Sequence, residues 1–167
     1  MKLVYAGSWV AKPKESFALD KNAQLLVYQW LKSLCFLDGH VSNIWRLVNL
    51  KDCRLYAMKS HDCHVFIQTL IPLAYYDLLL KEIYDTLTEI SHFFRDICSR
   101  KLQTQHIESL EMNIIETISK LKMIFPPSFM DSMEHLTIHL PYEAKVGGQI
   151  QYKWMYIFER LEITYTM

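Results

Sequence analysis

Along most of the chain, apolar positions recur every three or four residues, the spacing of one face of an α-helix. The clearest run is Leu80, Ile83, Leu87, Ile90, Phe94 and Ile97; a second is Ile107, Leu110, Ile114, Ile118, Leu121 and Phe125. Each makes one continuous stripe, and two such helices joined by the loop "CSRKLQTQ" predict antiparallel neighbours in a bundle. Pro126-Pro127 ends the second helix. Ser128 with Asp131 resembles a capping box for a further helix, whose core face would be Phe129, Met133, Leu136 and Leu140. "KVGGQ" then breaks the pattern.

Upstream the elements are shorter. Asp20 can cap a helix with Ala23, Leu26, Val27, Trp30, Leu31 and Leu34 on its apolar face. Asp38-Gly39 marks a turn. Ser42 starts a short helix through Ile44, Trp45 and Val48, and Ser60 starts another that stops near Pro72. A last helix is expected from Ile150 to Leu161. Trp154, Phe158 and Leu161 form one face of it, while Tyr152, Met155, Tyr156 and Ile163 crowd the other. A helix apolar nearly all round is usually buried on all sides, so this one reads as an element of a larger protein. There is no convincing strand alternation, internal repeat or low-complexity segment. The pattern predicts an all-α fold, an irregular bundle of roughly six to seven helices.

Composition sharpens this picture. A chain of 167 residues suits one domain. Its 51% hydrophobic and 13% aromatic content is rich for a small soluble domain and hints at a surface made for a partner. Eighteen basic and eighteen acidic side chains balance, which argues against autonomous nucleic-acid binding. The densest basic run, Arg46, Lys51, Arg54 and Lys59, is interrupted by Asp52 and reads as a solvated face. Cys35, Cys53, Cys63 and Cys98 form no CxxC pair and do not read as a disulfide framework, so reduced thiols in an intracellular protein are expected. The N-terminal stretch is a poor signal peptide. The most apolar window, "VFIQTLIPLAYYDLLL", is broken by Gln68, Pro72 and Asp77 and does not suit a membrane span.

The densest chemistry lies in "KSHDCHVFIQ". At about 100° per residue, Cys63, Ile67 and Leu70 fall together toward the core, and His61, His64 and Gln68 fall on the opposite face. Cys63 and His64 therefore cannot readily share a metal, whereas His61 and His64 can. Asp62 lies in the first helical turn, where a carboxylate favours the positive end of the dipole, so helix-start chemistry explains Ser60 and Asp62 without catalysis. A second pair, His135 and His139 in "MEHLTIHL", shares one flank of its helix, but Glu134 precedes the first histidine, so this is not HExxH. Zinc held by His61, His64, His135 and His139 is chemically allowed if the two helices meet. No nucleophile motif is present, and "GGQ" lacks the Lys-Ser/Thr of a phosphate loop. Glu159 in "KWMYIFER" is either a salt-bridge partner or a specialised carboxylate.

"VSNIWRLVNLKDCRLYAMKSHDCHVFIQTLIP" and "MIFPPSFMDSMEHLTIHLPYEAKVGGQIQYKWMYIFER" resemble the plant domain of unknown function 4218. That domain lies downstream of the catalytic region in CACTA (En/Spm-type) transposases. The resemblance begins near "KESFALDKNAQLLVYQWLKSL". It divides the chain into an unmatched segment 1–11, a helical transposase-associated domain 12–160 and a divergent tail 161–167. It makes His61, Asp62, His64 and Gln68 a signature face, and Trp154, Tyr156 and Arg160 part of a family motif. It implies a nuclear protein whose intact parents carry an RNase H-like core with two Mg²⁺ ions held by acids, which activate water and stabilise the leaving oxygen. By analogy with helical insertions in related transposases, Glu159 would be the third such acid in an intact parent. Ile157 and Leu37 stand where the family usually has proline. The earlier acids are absent, so the chain alone is expected to be no enzyme and to need no cofactor. Its partners would be the missing catalytic region or another protein, with DNA contacted only through an intact parent and no membrane role. Two other readings stay open: a co-opted protein-interaction module, and a small histidine-based metal-binding domain.

Overall fold

The structure is a computed structural model, and it describes residues 4–6, 9–11, 18–35, 44–99, 102–126, 132–148 and 150, with side chains at 4–6, 9–11 and 132–135 left out. Helix dominates, as the periodicity predicts. The order is β1 (Val4–Ala6), β2 (Trp9–Ala11), α1 (Lys21–Ser33), α2 (Ile44–Leu47), β3 (Val48–Asn49), β4 (Arg54–Leu55), α3 (Ser60–Val65), a π-helical turn (Phe66–Leu70), α4 (Ile71–Ala74), α5 (Lys81–Ile97), α6 (Thr104–Ile124) and α7 (Ser132–Gly147). The two strand pairs were not expected. Both are minimal antiparallel hairpins, β1 with β2 and β3 with β4, too short to show alternation in sequence.

The two strong stripes become α5 and α6, which pack together, and α7 packs across both; Leu80, expected to head the first stripe, instead stands at the N-cap of α5 and is 60% exposed. Ile107, Leu110, Ile114, Ile118 and Leu121 of α6 are all buried. They meet Phe93 and Ile97 of α5, Leu140 and Ala144 of α7, Ile150, and Cys63 from α3 in one cluster. A second cluster gathers Val27 and Leu31 of α1, Ile44, Val48, Leu70 and Ala74. The rod from Ser60 to Ala74 lies between the two and serves both: Cys63 and Ile67 face the bundle, and Val65, Phe66 and Leu70 face the other cluster.

Several expectations need correcting. The Ser60 helix does end near Pro72, but two residues beyond it, at Ala74. Pro72 sits in the first turn of α4, directly after the π-turn. A proline lacks the N–H for the carbonyl four residues back and clashes with it. The wider π-turn opens the ladder at that point, so the rod continues to Ala74. In α7 the core face is turned by one residue: Leu136 is 40% exposed, while Thr137, Leu140, Pro141 and Ala144 are buried. Helix α7 runs through Pro141 and ends at Gly147, inside the "KVGGQ" break that the pattern predicts. In α1, Leu26 is exposed and Val27 and Leu31 carry the burial. Val48 opens β3 rather than ending a helix. Asp20 does stand at the N-cap of α1, its carbonyl accepting the Gln24 N–H at 2.8 Å, but its side chain makes no capping hydrogen bond to the helix. The Ser128/Asp131 capping box, Phe129 and the helix beyond Ile150 lie outside the described residues.

Candidate functional site

The stretch that drew attention in the sequence lies at the start of the rod. Asp62 is the third residue of α3 and is 1% exposed. Its Oδ2 accepts the Lys59 backbone N–H at 2.9 Å, closing the free end of the helix as a first-turn carboxylate should. Its Oδ1 is buried with no hydrogen-bond partner. Cys63 is buried and turned to the bundle cluster, as the wheel predicts.

His61, His64 and Gln68 do share one side, but that side is not left to solvent. His61 is exposed, while His64 and Gln68 are half-buried against the C-terminal part of α5. The Gln68 amide Nε2 lies 3.4 Å from His64 Nδ1 and donates to the Phe94 carbonyl at 3.4 Å. That carbonyl also accepts the Cys98 N–H at 3.3 Å, so Gln68 supplies a further donor where α5 runs out of its own. Gln68 also hydrogen-bonds the Cys98 thiol. Sequence reasoning missed Cys98 as a member of this seam. No motif links residues 30 positions apart, and only the π-turn brings Gln68 onto α5.

The electrostatics fit a tie between helices. Burial lowers the pKa of His64 below the ordinary histidine value, and the neighbouring His61 lowers it further. A neutral ring with its proton on Nε2 can accept at Nδ1 from Gln68. Burial pushes the Cys98 thiol up to about 11, against the opposing hydrogen bond from Gln68. Such a thiol stays protonated at neutral pH and is a poor nucleophile. The seam joins the rod to α5 and carries no activated group.

Among the described residues no group of three or more His, Cys, Asp or Glu side chains is placed to hold a metal. His139 is exposed on α7. His135 is on the same helix, but its side chain lies outside the described residues, as do Glu159, Trp154, Tyr156 and Arg160 entirely. No helix among the described residues is long and apolar enough to cross a membrane.

Elsewhere, Glu89 of α5 meets α6: Lys120 Nζ donates to its Oε1 at 2.9 Å, and the Thr117 hydroxyl donates to its Oε2 at 3.0 Å. Glu116 lies 3.1 Å from the same lysine, and the two carboxylates raise the lysine's pKa. The opposite face of α6 carries exposed Met112, Ile115 and Met123, the last 82% exposed. Tyr142 and Val146, one turn apart, are exposed on α7.

Residues 97–166 match the model of a family described as "Domain of unknown function (DUF4218)". The match takes in all of α6 and α7 and less than half of the chain. No curated protein and no solved structure matches. What is established is therefore a predominantly helical chain whose α6–α7 half and following segment carry the signature of a domain of unknown function.

Proposed function

We propose that the chain is a helical piece derived from a CACTA-type transposase, with no catalysis of its own. The observation that carries this is the family match over residues 97–166. It coincides with the second of the two long sequence stretches that resemble the transposase-associated domain. Two-metal phosphoryl transfer needs several converging acids. In an intact parent, Glu159 would add one acid to a set supplied by the catalytic region.

Three measurements test this. The purified chain with Mg²⁺ should leave a labelled duplex bearing transposon ends uncut, and cleavage would contradict the reading. In an intact relative, Glu→Gln at the position matching Glu159 should abolish excision; normal excision removes the assigned role. A tagged chain should enter plant nuclei, and exclusion from them would count against the transposase origin.

A second reading, a co-opted interaction module, draws on the outward face of α6. Met112, Ile115 and Met123 recur at helical spacing on the side away from the core, where polar residues are the norm. Replacing all three by Lys should leave folding intact and remove partner capture from nuclear extract. Unchanged capture would exclude this face.

A further inference from the structure

The two hydrophobic clusters do not close completely on one another. Between them lies a cavity of about 580 Å³. Its apolar wall comes from four elements: Val27 of α1, Phe66 of the π-turn, Ile83 and Leu87 of α5, and Phe125, which ends α6. A space of this size is what small-molecule sites occupy, and such sites combine an apolar body with a few convergent polar groups.

Besides Cys53 and Tyr75, the polar groups here are Gln24, Tyr28, Asp52 and Arg54. They differ in how much bonding capacity remains. Asp52 is turned to its own hairpin, its Oδ2 taking the Asn49 amide at 2.8 Å and the Tyr56 hydroxyl at 3.1 Å. Among the described residues, the Gln24 side chain, the Tyr28 hydroxyl and the Arg54 guanidinium have no hydrogen-bond or ion-pair partner. Burial and then the neighbouring Cys53 raise the pKa of Tyr28, with Arg54 opposing them, so Tyr28 keeps its proton, and both donors line the cavity. Between Asp52 and Arg54, Cys53 holds a φ of 48°, a left-handed backbone that non-glycine residues rarely adopt. Such strain recurs where a loop presents groups to a ligand.

We propose that this cavity binds a medium-chain fatty acid. The hydrocarbon lies against Val27, Phe66, Ile83 and Leu87, and the carboxylate accepts from Arg54 and Tyr28. The apolar wall supplies burial. The one guanidinium and the unpaired donors supply the preference for an anionic head. This site is independent of the transposase reading: its polar groups and most of its wall come from α1, the hairpin, the π-turn and α5, and of its lining residues only Phe125 lies in the matched segment.

The experiment is titration of the full chain with decanoate and, separately, with decanol, followed by calorimetry and thermal melting. Decanoate should bind one per chain, saturate below about 1 mM and raise the melting temperature, and decanol should bind about tenfold more weakly or worse. Arg54→Gln, at an exposed position, should cost decanoate about tenfold and leave decanol unchanged. Leu87→Trp should fill the cavity and abolish binding of both. Should that variant not fold, Val27→Phe serves the same purpose. Absence of saturable decanoate binding, equal affinity for the alcohol, or a folded cavity-filled variant that still binds would each overturn the proposal.

Discussion

The bundle of α5, α6 and α7 and the layer of α1, α2 and the β3–β4 hairpin hold hydrophobic clusters of different construction. In the bundle, α6 buries a continuous stripe against α5 and α7, and apolar contact is spread over several turns. In the layer, elements of two to thirteen residues meet at single positions: Val27, Leu31, Ile44, Val48. The layer also contains both non-glycine residues with positive φ, Cys53 and Ala57, among the described residues, and it borders the cavity. Long regular helices bury area with little backbone strain; short ones close a core by bending the chain at particular residues. The same molecule thus has a half built for stability and a half whose irregularity leaves space and unpaired donors.

That difference can be broken or sharpened by mutation. The largest effect is expected in the bundle: Ile114→Ala should cost about 2–5 kcal/mol in chemical denaturation, because Ile114 is 1% exposed at the centre of α6 and its neighbours cannot collapse into the gap. A cost below about 1 kcal/mol would mean the bundle core is loosely packed.

Glycine substitutions separate the halves by sign. Ala144→Gly, in the buried face of α7, should destabilise by about 1 kcal/mol or more. Ala57→Gly should be neutral or stabilising by up to about 1 kcal/mol, since φ 53° suits glycine and strains alanine. Equal losses at both positions would contradict the assigned backbone strain.

At the rod, Asp62→Ala should cost about 1 kcal/mol by opening the start of α3, whereas Asp62→Asn, which keeps an acceptor for the Lys59 N–H, should cost less. If the two cost the same, the charge and not the cap is what matters.

The smallest effects are on pH and thiol chemistry. The folded pKa of His64 lies below its ordinary value, so the unfolded chain binds the proton more readily. Stability should therefore fall as pH drops through about 6.5 toward the lower folded value, and His64→Gln should flatten that part of the profile. Exposed Cys35 should alkylate quickly in the native protein, while Cys98, with its thiol near 11, should react only on unfolding. Rapid native labelling of Cys98 would show that the seam with Gln68 opens.

The sequence made the bundle legible because its stripes are long. Ile107 through Leu121 repeat often enough that no tertiary context overrides them. The layer was not legible to the same degree. Val48 and Leu55 form two-residue strands whose pairing depends on the turn at Cys53, and no window of periodicity detects a ladder that short. The π-turn is invisible for another reason. Nothing in "FIQTL" announces an extra residue per turn, yet that residue lets Pro72 follow and carries Gln68 onto α5. At the candidate site, the wheel placed Cys63 correctly and grouped His61, His64 and Gln68, but it treats their side as solvent because a single helix has no knowledge of its neighbour. Leu136 failed similarly: the stripe Met133–Leu136–Leu140 is apolar, but α6 and Pro141 set the rotation of α7, and Thr137 is buried in its place.

The claim that these halves differ in kind is tested most directly by native-state hydrogen exchange. The amides of Leu110, Ile114, Ile118 and Phe93 should exchange only through global unfolding, with the full denaturant dependence of that transition. Those of Val27, Leu31 and Leu55 should exchange earlier, through a smaller opening that leaves the bundle intact. A single common opening energy across both sets would contradict the account and make the chain one cooperative core.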